Sequence, residues 1–167
     1  MRCFPVLPRK SSNPSWASRV RIERAASIRA VTVENEAPVT RSEAVTEGVR
    51  VQVRARYSPD HSDPNRGDWF FLYTIRISNE GDEAVQLTDR HWYIVDGSGK
   101  TEEVQGPGVV GEQPELEPGA SFEYTSGCPL KTPFGSMSGS YRMQRGDGTT
   151  FEAEIGLFEL SQPVAIH

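Results

Sequence analysis

The sequence predicts an all-β protein, an antiparallel β-sandwich of the fibronectin type III or immunoglobulin-like kind with about seven or eight strands. Short segments in which apolar and polar residues alternate recur along the chain, and this period of two is typical of strands with one buried face. Clusters of Gly, Pro, Asn and Asp separate these segments, as turns do. No segment shows the 3.6-residue period of a helix, so we predict no α-helix.

Two parts are predicted, an N-terminal extension of residues 1–45 and one β-sandwich domain of residues 46–167. The extension mixes Arg, Ser and Pro without a sustained period, which favours disorder. Its composition up to Arg29 resembles a transit peptide, but a flexible tail or a start codon assigned too far upstream accounts for it better. The role of the extension therefore stays open.

Charge is unevenly distributed between the two parts. The extension holds eight of the 18 basic and four of the 23 acidic residues, a balance of +4, which leaves ten against nineteen in the domain, a balance of −9. An acidic domain is a poor partner for phosphate backbones, so we expect no nucleic-acid partner. No apolar run approaches the roughly 20 residues that span a membrane. The only cysteines, Cys3 and Cys128, are too few for a disulfide framework, which favours a cytoplasmic location.

Alternation is clearest in the first half of the domain. Residues 49–57 alternate Val, Ala and Tyr with Arg and Gln, and residues 69–78 are rich in aromatic and β-branched side chains, as a central strand is. Residues 85–87 and 90–96 are predicted as two further strands, with Trp92 and Ile94 directed inward. Asp96 begins a tight hairpin turn that leads to a strand at residues 102–105.

The second half is predicted to contain two long loops. Residues 106–119 form a glycine-rich loop, a long connection between the sheets, and residues 127–139 form the other. Between them lies a strand at residues 121–126, and a final hairpin pairs residues 141–144 with residues 151–157.

The glycine-rich loop contains Gly106, Gly108 and Gly111 in a literal G-x-G-x-x-G pattern. In a dinucleotide-binding fold such glycines precede a helix whose N-terminus holds the pyrophosphate. Here Pro114 and Pro118 stand where that helix would run, which excludes the dinucleotide fold. Two interpretations stay open: the glycines satisfy backbone geometry in the loop, or the loop presents amides to a phosphate.

Other clusters give weaker indications of chemistry. Asp60, His61 and Asp63 could ligate a divalent cation, but their spacing fits no calcium loop, and a solvated loop explains them better. Cys128 and His91 could act as nucleophile and base, but no recognised motif surrounds either. We therefore predict no metal site, no cofactor and no enzymatic activity.

The domain resembles the ApaG family from about Val49 to the C-terminus. The motifs that carry the resemblance are Val85-Gln-Leu87, Arg90-x-Trp92-x-Ile94, Glu103-Val104-x-Gly106-x-Gly108-Val-Val-Gly111-x-Gln113-Pro114, Leu116-x-Pro118-Gly119, Phe122-x-Tyr124-x-Ser126-Gly127, Thr132-Pro133-x-Gly135-x-Met137-x-Gly139-x-Tyr141-x-Met143 and a terminal Ile166-His167. The resemblance implies a fibronectin type III-like sandwich without established enzymatic activity, linked to cobalt resistance and magnesium efflux. Eukaryotic relatives with this domain are usually regarded as protein-binding.

These observations predict a non-enzymatic binding module with a protein partner. We expect the partner to bind the glycine-rich loop, with a neighbouring loop beside it, since loops on a rigid sandwich often carry recognition. The predicted binding residues are Gly106, Gly108, Val109, Val110, Gly111 and Gln113, and in the neighbouring loop Thr132, Pro133, Phe134 and Gly135. The alternative is that the same loop binds a pyrophosphate-containing nucleotide such as diadenosine tetraphosphate. This function would require a cation that faces the loop. The charged residues of the loop itself are all acidic: Glu112, Glu115 and Glu117.

Overall fold

A computed structural model describes residues 38–164 and has two antiparallel sheets packed face to face. The strands are β1 (Thr40–Thr46), β2 (Val49–Tyr57), β3 (Trp69–Asn79), β4 (Val85–Asp96), β5 (Thr101–Pro107), β6 (Glu115–Leu116), β7 (Ser121–Leu130), β8 (Phe134–Arg145) and β9 (Thr150–Ser161). Two 3-10 turns, Pro59–His61 and Pro64–Arg66, are the helical segments of this part of the chain. The predicted all-β sandwich is confirmed.

The two sheets differ in size. The four-stranded sheet has the order β1-β2-β3-β7, and the five-stranded sheet has the order β5-β4-β8-β9, with β6 pairing with the start of β4. Both β5 and β6 therefore lie along the same side of β4, because β8 occupies the other side. This arrangement decides where the glycine-rich loop lies.

Aromatic side chains fill the space between the sheets. Trp92 is 2% exposed, and its ring centroid lies 5.5 Å from Tyr73, 6.0 Å from Phe158 and 6.3 Å from Tyr141. Edge-to-face contacts of this kind add to the area that these side chains bury. The inward direction predicted for Trp92 is confirmed.

One polar contact crosses this core. The hydroxyls of Tyr124 on β7 and Tyr141 on β8 form a hydrogen bond between the sheets. Burial raises the pKa of Tyr141 well above its ordinary value, an effect that the bond to Tyr124 partly opposes. Tyr141 is therefore a neutral structural side chain, since an ionised phenol would lose its hydration there.

The boundary predicted between extension and domain is wrong, because β1 begins at Thr40. Its half-buried side chains include small polar residues, which leave no apolar period to detect. Three of them bond to β9 across the seam between the sheets: Thr40 Oγ1 donates to the Glu159 carbonyl at 2.5 Å, Ser42 Oγ donates to the Gly156 carbonyl at 2.7 Å, and Thr46 Oγ1 accepts from the Glu154 amide at 3.1 Å. The prediction for residues 1–37 lies outside the described residues.

Two further predicted boundaries differ from the structure. Residues 85–96 form one strand, in which a bulge between Leu87 and Asp89 disturbs the alternation. Most of the predicted loop 127–139 is strand, because β7 extends to Leu130, β8 begins at Phe134, and residues 131–133 carry the chain from one sheet to the other. Gly127 on β7 leaves room for the Phe70 ring, and Gly139 on β8 leaves room for the His91 carbonyl. Glycine is needed at both positions because another group packs closely against the backbone. In the sequence, however, such glycines look like loop residues, so a loop was predicted.

Both ends of the described chain lie at one end of the sandwich. Thr40 contacts Glu159, and the Gln162 amide donates to the Pro133 carbonyl at 2.8 Å. The Trp69 indole also donates to the Gln162 side chain at 2.9 Å. The glycine-rich loop lies at the opposite end.

Candidate functional site

The glycine-rich loop is an excursion from the edge of the five-stranded sheet. It leaves β5 after Pro107 and returns in β6, so residues 108–114 begin and end beside β4, and the predicted crossing between sheets occurs only after β6. The Gly108 amide and the Gln113 side chain each donate to the Thr88 carbonyl at 2.8 Å, and the Leu87 amide donates to the Pro114 carbonyl at 3.0 Å. The loop thus closes around the bulge in β4.

The tip of the loop is a tight two-residue turn. Val109 and Glu112 exchange backbone hydrogen bonds of 2.8 and 2.9 Å, and the two residues between them, Val110 and Gly111, have φ angles of 45° and 78°. Two positive φ angles are typical of a type I′ turn, which favours Asn-Gly. A β-branched residue in this conformation is strained, so the turn holds Val110 against its local preference.

Exposure divides the predicted binding residues of this loop. Gly108 is buried, and Val109 is part of the hydrophobic core at 1% exposed. Val110 is half-buried, whereas Gly111 and Gln113 are exposed. The Val109 side chain therefore anchors the loop to the core and is not presented at the surface, and its contact with a partner stays a prediction.

The three glycines meet different structural requirements. Gly108 has φ 62°, and a Cβ at this position would overlap the Glu112 carbonyl oxygen. A Cβ at Gly106 would lie 3.3 Å from a guanidinium nitrogen of Arg90. A Cβ at Gly111 would have no atom within 4 Å, so that residue needs only its positive φ. The pattern is explained by backbone geometry, and no helix follows it within residues 38–164.

Arg90 is the functional candidate that the sequence interpretation missed. Its Nη1 donates to the carbonyls of Pro107 at 2.9 Å and Gly108 at 2.8 Å, so a cation does face the loop. Arg90 precedes the loop in the chain, on β4. The sequence contains an indication of this position. Arg90 stands two residues before Trp92 and four before Ile94, so the alternation along the strand places it on the same inward-facing side.

A shallow groove of about 410 Å³ runs beside the loop on the outer face of the five-stranded sheet. Its lining includes Arg90, His91, Gln105, Arg142 and Glu152. His91 Nε2 lies 2.5 Å from Glu103 Oε1, and Arg142 Nε donates to Glu152 Oε1 at 3.0 Å. The groove therefore offers both cationic and acceptor groups to a bound molecule.

The second predicted loop does not neighbour the first. Gly135 pairs with Asp96 at one end of β4, whereas Pro107 pairs with Asp89 toward the other. Thr132 Oγ1 accepts from the Gly97 amide at 2.8 Å, and Phe134 is 55% exposed beside Gly97. Thr132, Pro133, Phe134 and Gly135 thus lie at the far end of the sheet, because β4 and β8 pair along their whole length.

The other candidate clusters are not assembled for the chemistry considered above. His61 Nδ1 forms a 2.7 Å hydrogen bond with Ser58 Oγ, which stabilises the first 3-10 turn. Within residues 38–164, no group of His, Cys, Asp or Glu is arranged to hold a metal ion. Cys128 is buried on β7, whereas His91 lies on the outer face of the opposite sheet. In the same residues, no helix is long and apolar enough to cross a membrane.

Comparison with known proteins identifies close relatives. A family model described as the ApaG domain matches residues 59–145. Protein ApaG of Anaeromyxobacter dehalogenans strain 2CP-C is 53% identical over 126 residues, which cover 75% of this chain and 99% of the relative. Protein ApaG of Beijerinckia indica is 52% identical over 119 residues, covering 71% and 92%. The crystal structure of an ApaA protein from Bordetella pertussis is 48% identical, with a TM-score of 0.68 and coverage of 70% and 95%.

Proposed function

The chain belongs to the ApaG family, and on this basis we propose that it is a non-enzymatic binding module that holds a protein partner at its glycine-loop end. The observation that carries the proposal is the strained turn of Val110 and Gly111 at the tip of a firmly anchored loop. Strained backbone of this kind concentrates at sites of recognition. The conformation of the turn alone would favour Asn at this position.

Rigidity of the loop supports this proposal. Val109 is held in the core, Arg90 bonds to the loop carbonyls, and Gln113 bonds back to β4. A preorganised surface loses little conformational entropy on binding, which favours affinity. Val110, Gly111 and Glu112 then form a small contact surface with an apolar centre and an acidic edge.

Replacing Val110 with Asn and Glu112 with Arg is expected to reduce partner capture about tenfold, because the contact loses its apolar centre and its charge is reversed. Asn suits the turn, which offsets the lost packing of Val110 against the core, so the melting temperature should change little. The measurement is capture by the tagged full chain from a lysate of the source organism, quantified by mass spectrometry.

Asp60→Arg is the matched control, since Asp60 is exposed and belongs to the loop that precedes β3, at the far end of the sandwich. It makes the same change in charge as Glu112→Arg and should leave capture intact. Equal capture by the wild type and the double variant would show that the partner binds elsewhere.

A second candidate function, nucleotide binding at the same loop, is favoured by the position of Arg90. This guanidinium faces the loop, and a second cation, Arg142, lines the groove beside the loop, where its Nε donates to Glu152. Guanidinium groups match phosphate geometry well. Nucleotide binding is disfavoured by the hydrogen bonds within the loop. Three loop amides, those of Gly108, Val109 and Glu112, already donate to backbone carbonyls and are not available to a phosphate.

Titration of the full chain with diadenosine tetraphosphate, with and without magnesium, distinguishes the two functions. Nucleotide binding would produce saturable NMR shifts at the Gly106, Gly108 and Gly111 amides, weakened in Arg142→Gln. We expect no saturable shift at millimolar ligand, because the available loop amides are few and Glu112 repels phosphate. Saturation at these amides would place the nucleotide function first.

A further inference from the structure

We propose that the outer face of the four-stranded sheet is a second binding surface, and that it takes an acidic peptide segment of a protein partner. The surface, called here the arginine face, consists of Arg41 on β1, Arg54 and Arg56 on β2, and Arg76 on β3. All four side chains are exposed. The surface is separate from the glycine-rich loop, which belongs to the five-stranded sheet.

The strand register concentrates these charges. Arg41 lies directly opposite Arg54, and Arg54 lies opposite Thr74 on β3. Arg76 is opposite Gln52, one diagonal step from Arg54, and Arg56 is two residues from Arg54 on the same strand. Like charges directly opposite one another destabilise a sheet. Their presence therefore calls for a role other than stability.

The carboxylate of Glu123 on β7, which lies opposite Arg76 and near Arg54, balances only part of this charge. Arg41 and Arg56 form no hydrogen bond or ion pair with any other residue that the structure describes. Arg54 is 3.6 Å from Glu123, and Arg76 donates to Ser121 Oγ at a long 3.4 Å. The neighbouring Arg50 shows the contrast: Glu80 and Glu43 both bond to it, and these bonds raise its pKa.

The shape of the surface favours a macromolecular partner. The groove across it, of about 560 Å³, is shallow and lies on an open sheet face. Small ligands are usually enclosed by concave pockets, so this surface suits an extended segment better. Thr74 and Thr125, whose hydroxyls are 2.8 Å apart, offer polar contacts in the same row as Arg41 and Arg54.

The acidic surface of the rest of the domain favours a short acidic peptide over a long polyanion as the partner. Between residues 38 and 164 there are 11 Arg and Lys residues against 20 Asp and Glu residues, and five of these basic residues, the arginine face and Arg50, share one sheet face. A long polyanion such as nucleic acid would also meet the acidic remainder and be repelled. A short segment rich in Glu or Asp can pair with the guanidiniums and avoid the rest of the surface.

Fluorescence anisotropy with a labelled hexaglutamate peptide tests the proposal on the full chain at low ionic strength. We expect saturable binding that weakens with salt and that falls about tenfold in Arg54→Glu/Arg56→Glu. Both side chains are exposed on the outer face, and the one ion pair that is lost, between Arg54 and Glu123, is exposed as well, so the melting temperature should change little. NMR shifts should include the Thr74 and Thr125 amides.

Two matched double variants carry the same change of charge. Arg66→Glu/Lys100→Glu alters exposed loops, and Arg19→Glu/Arg21→Glu alters the basic extension; both should retain binding within about twofold. An equal loss in either control would overturn the proposal, because it would show attraction to net charge or to the extension. Tighter binding of tripolyphosphate or of a hexathymidine oligonucleotide than of the peptide would overturn the choice of partner, and no saturable binding would overturn the surface.

Discussion

Gly108→Ala is expected to lower the free energy of unfolding by about 3 kcal/mol. A residue with a side chain is strained at φ 62°, and the added Cβ would overlap the Glu112 carbonyl oxygen. That oxygen cannot move freely, because it accepts the Val109 amide at 2.8 Å. Urea unfolding of the full chain measures the loss.

Gly111→Asn is the control for Gly108→Ala. Gly111 has φ 78° and open space around it, and Asn tolerates left-handed backbone, so its free energy of unfolding should stay within about 0.5 kcal/mol of the wild type. If Gly108→Ala left stability unchanged, the glycine would not be required by the fold. The phosphate-binding interpretation of the motif would then regain support.

Asn79→Leu is expected to cost about 3 kcal/mol, because it leaves one buried and two partly buried backbone groups without their partner. Asn79 is 2% exposed, and its Nδ2 donates to the Glu83 carbonyl at 2.7 Å and the Leu116 carbonyl at 2.9 Å. Its Oδ1 also accepts the Gly81 amide at 3.0 Å. One side chain thus joins the end of β3 to the turn that precedes β4 and to β6.

The control for Asn79→Leu is Gln86→Leu, which removes a single exposed hydrogen bond of 3.1 Å to the Gln113 carbonyl. It should change the free energy of unfolding by less than about 0.5 kcal/mol. Comparable losses in the two variants would show that burial of Asn79 does not decide the energy. Chemical unfolding followed by tryptophan fluorescence suits both measurements.

Strands with a strict apolar period were predictable from the sequence, and strands without one were not. Val49, Val51 and Val53 alternate in β2 and are buried as expected. The inward positions of β1 are held by small and polar residues whose hydroxyls bond to β9. Such bonds depend on a strand more than 100 positions away in the chain, so local pattern cannot reveal them.

The candidate site was also predictable only in part, because the exposure of its residues depends on contacts that are distant in the sequence. The motif of Gly106, Gly108 and Gly111 drew attention to the correct loop, but whether a loop residue is exposed depends on packing. Val109 is buried because the turn directs it toward the core. The predicted neighbourhood of the glycine-rich loop and residues 132–135 was wrong, because the length and pairing of β4 place the two loops at opposite ends.

The position of the chain ends has a practical consequence for attachment. Because Thr40 and Gln162 lie together at the end remote from the glycine-rich loop, a linker fused near either of them leaves the loop pointing away from whatever carries the domain. A sensor chip, a bead or a second domain can therefore be joined at either side without blocking the loop. The sandwich can also be inserted as a cassette into another protein, since the chain enters and leaves it at adjacent points.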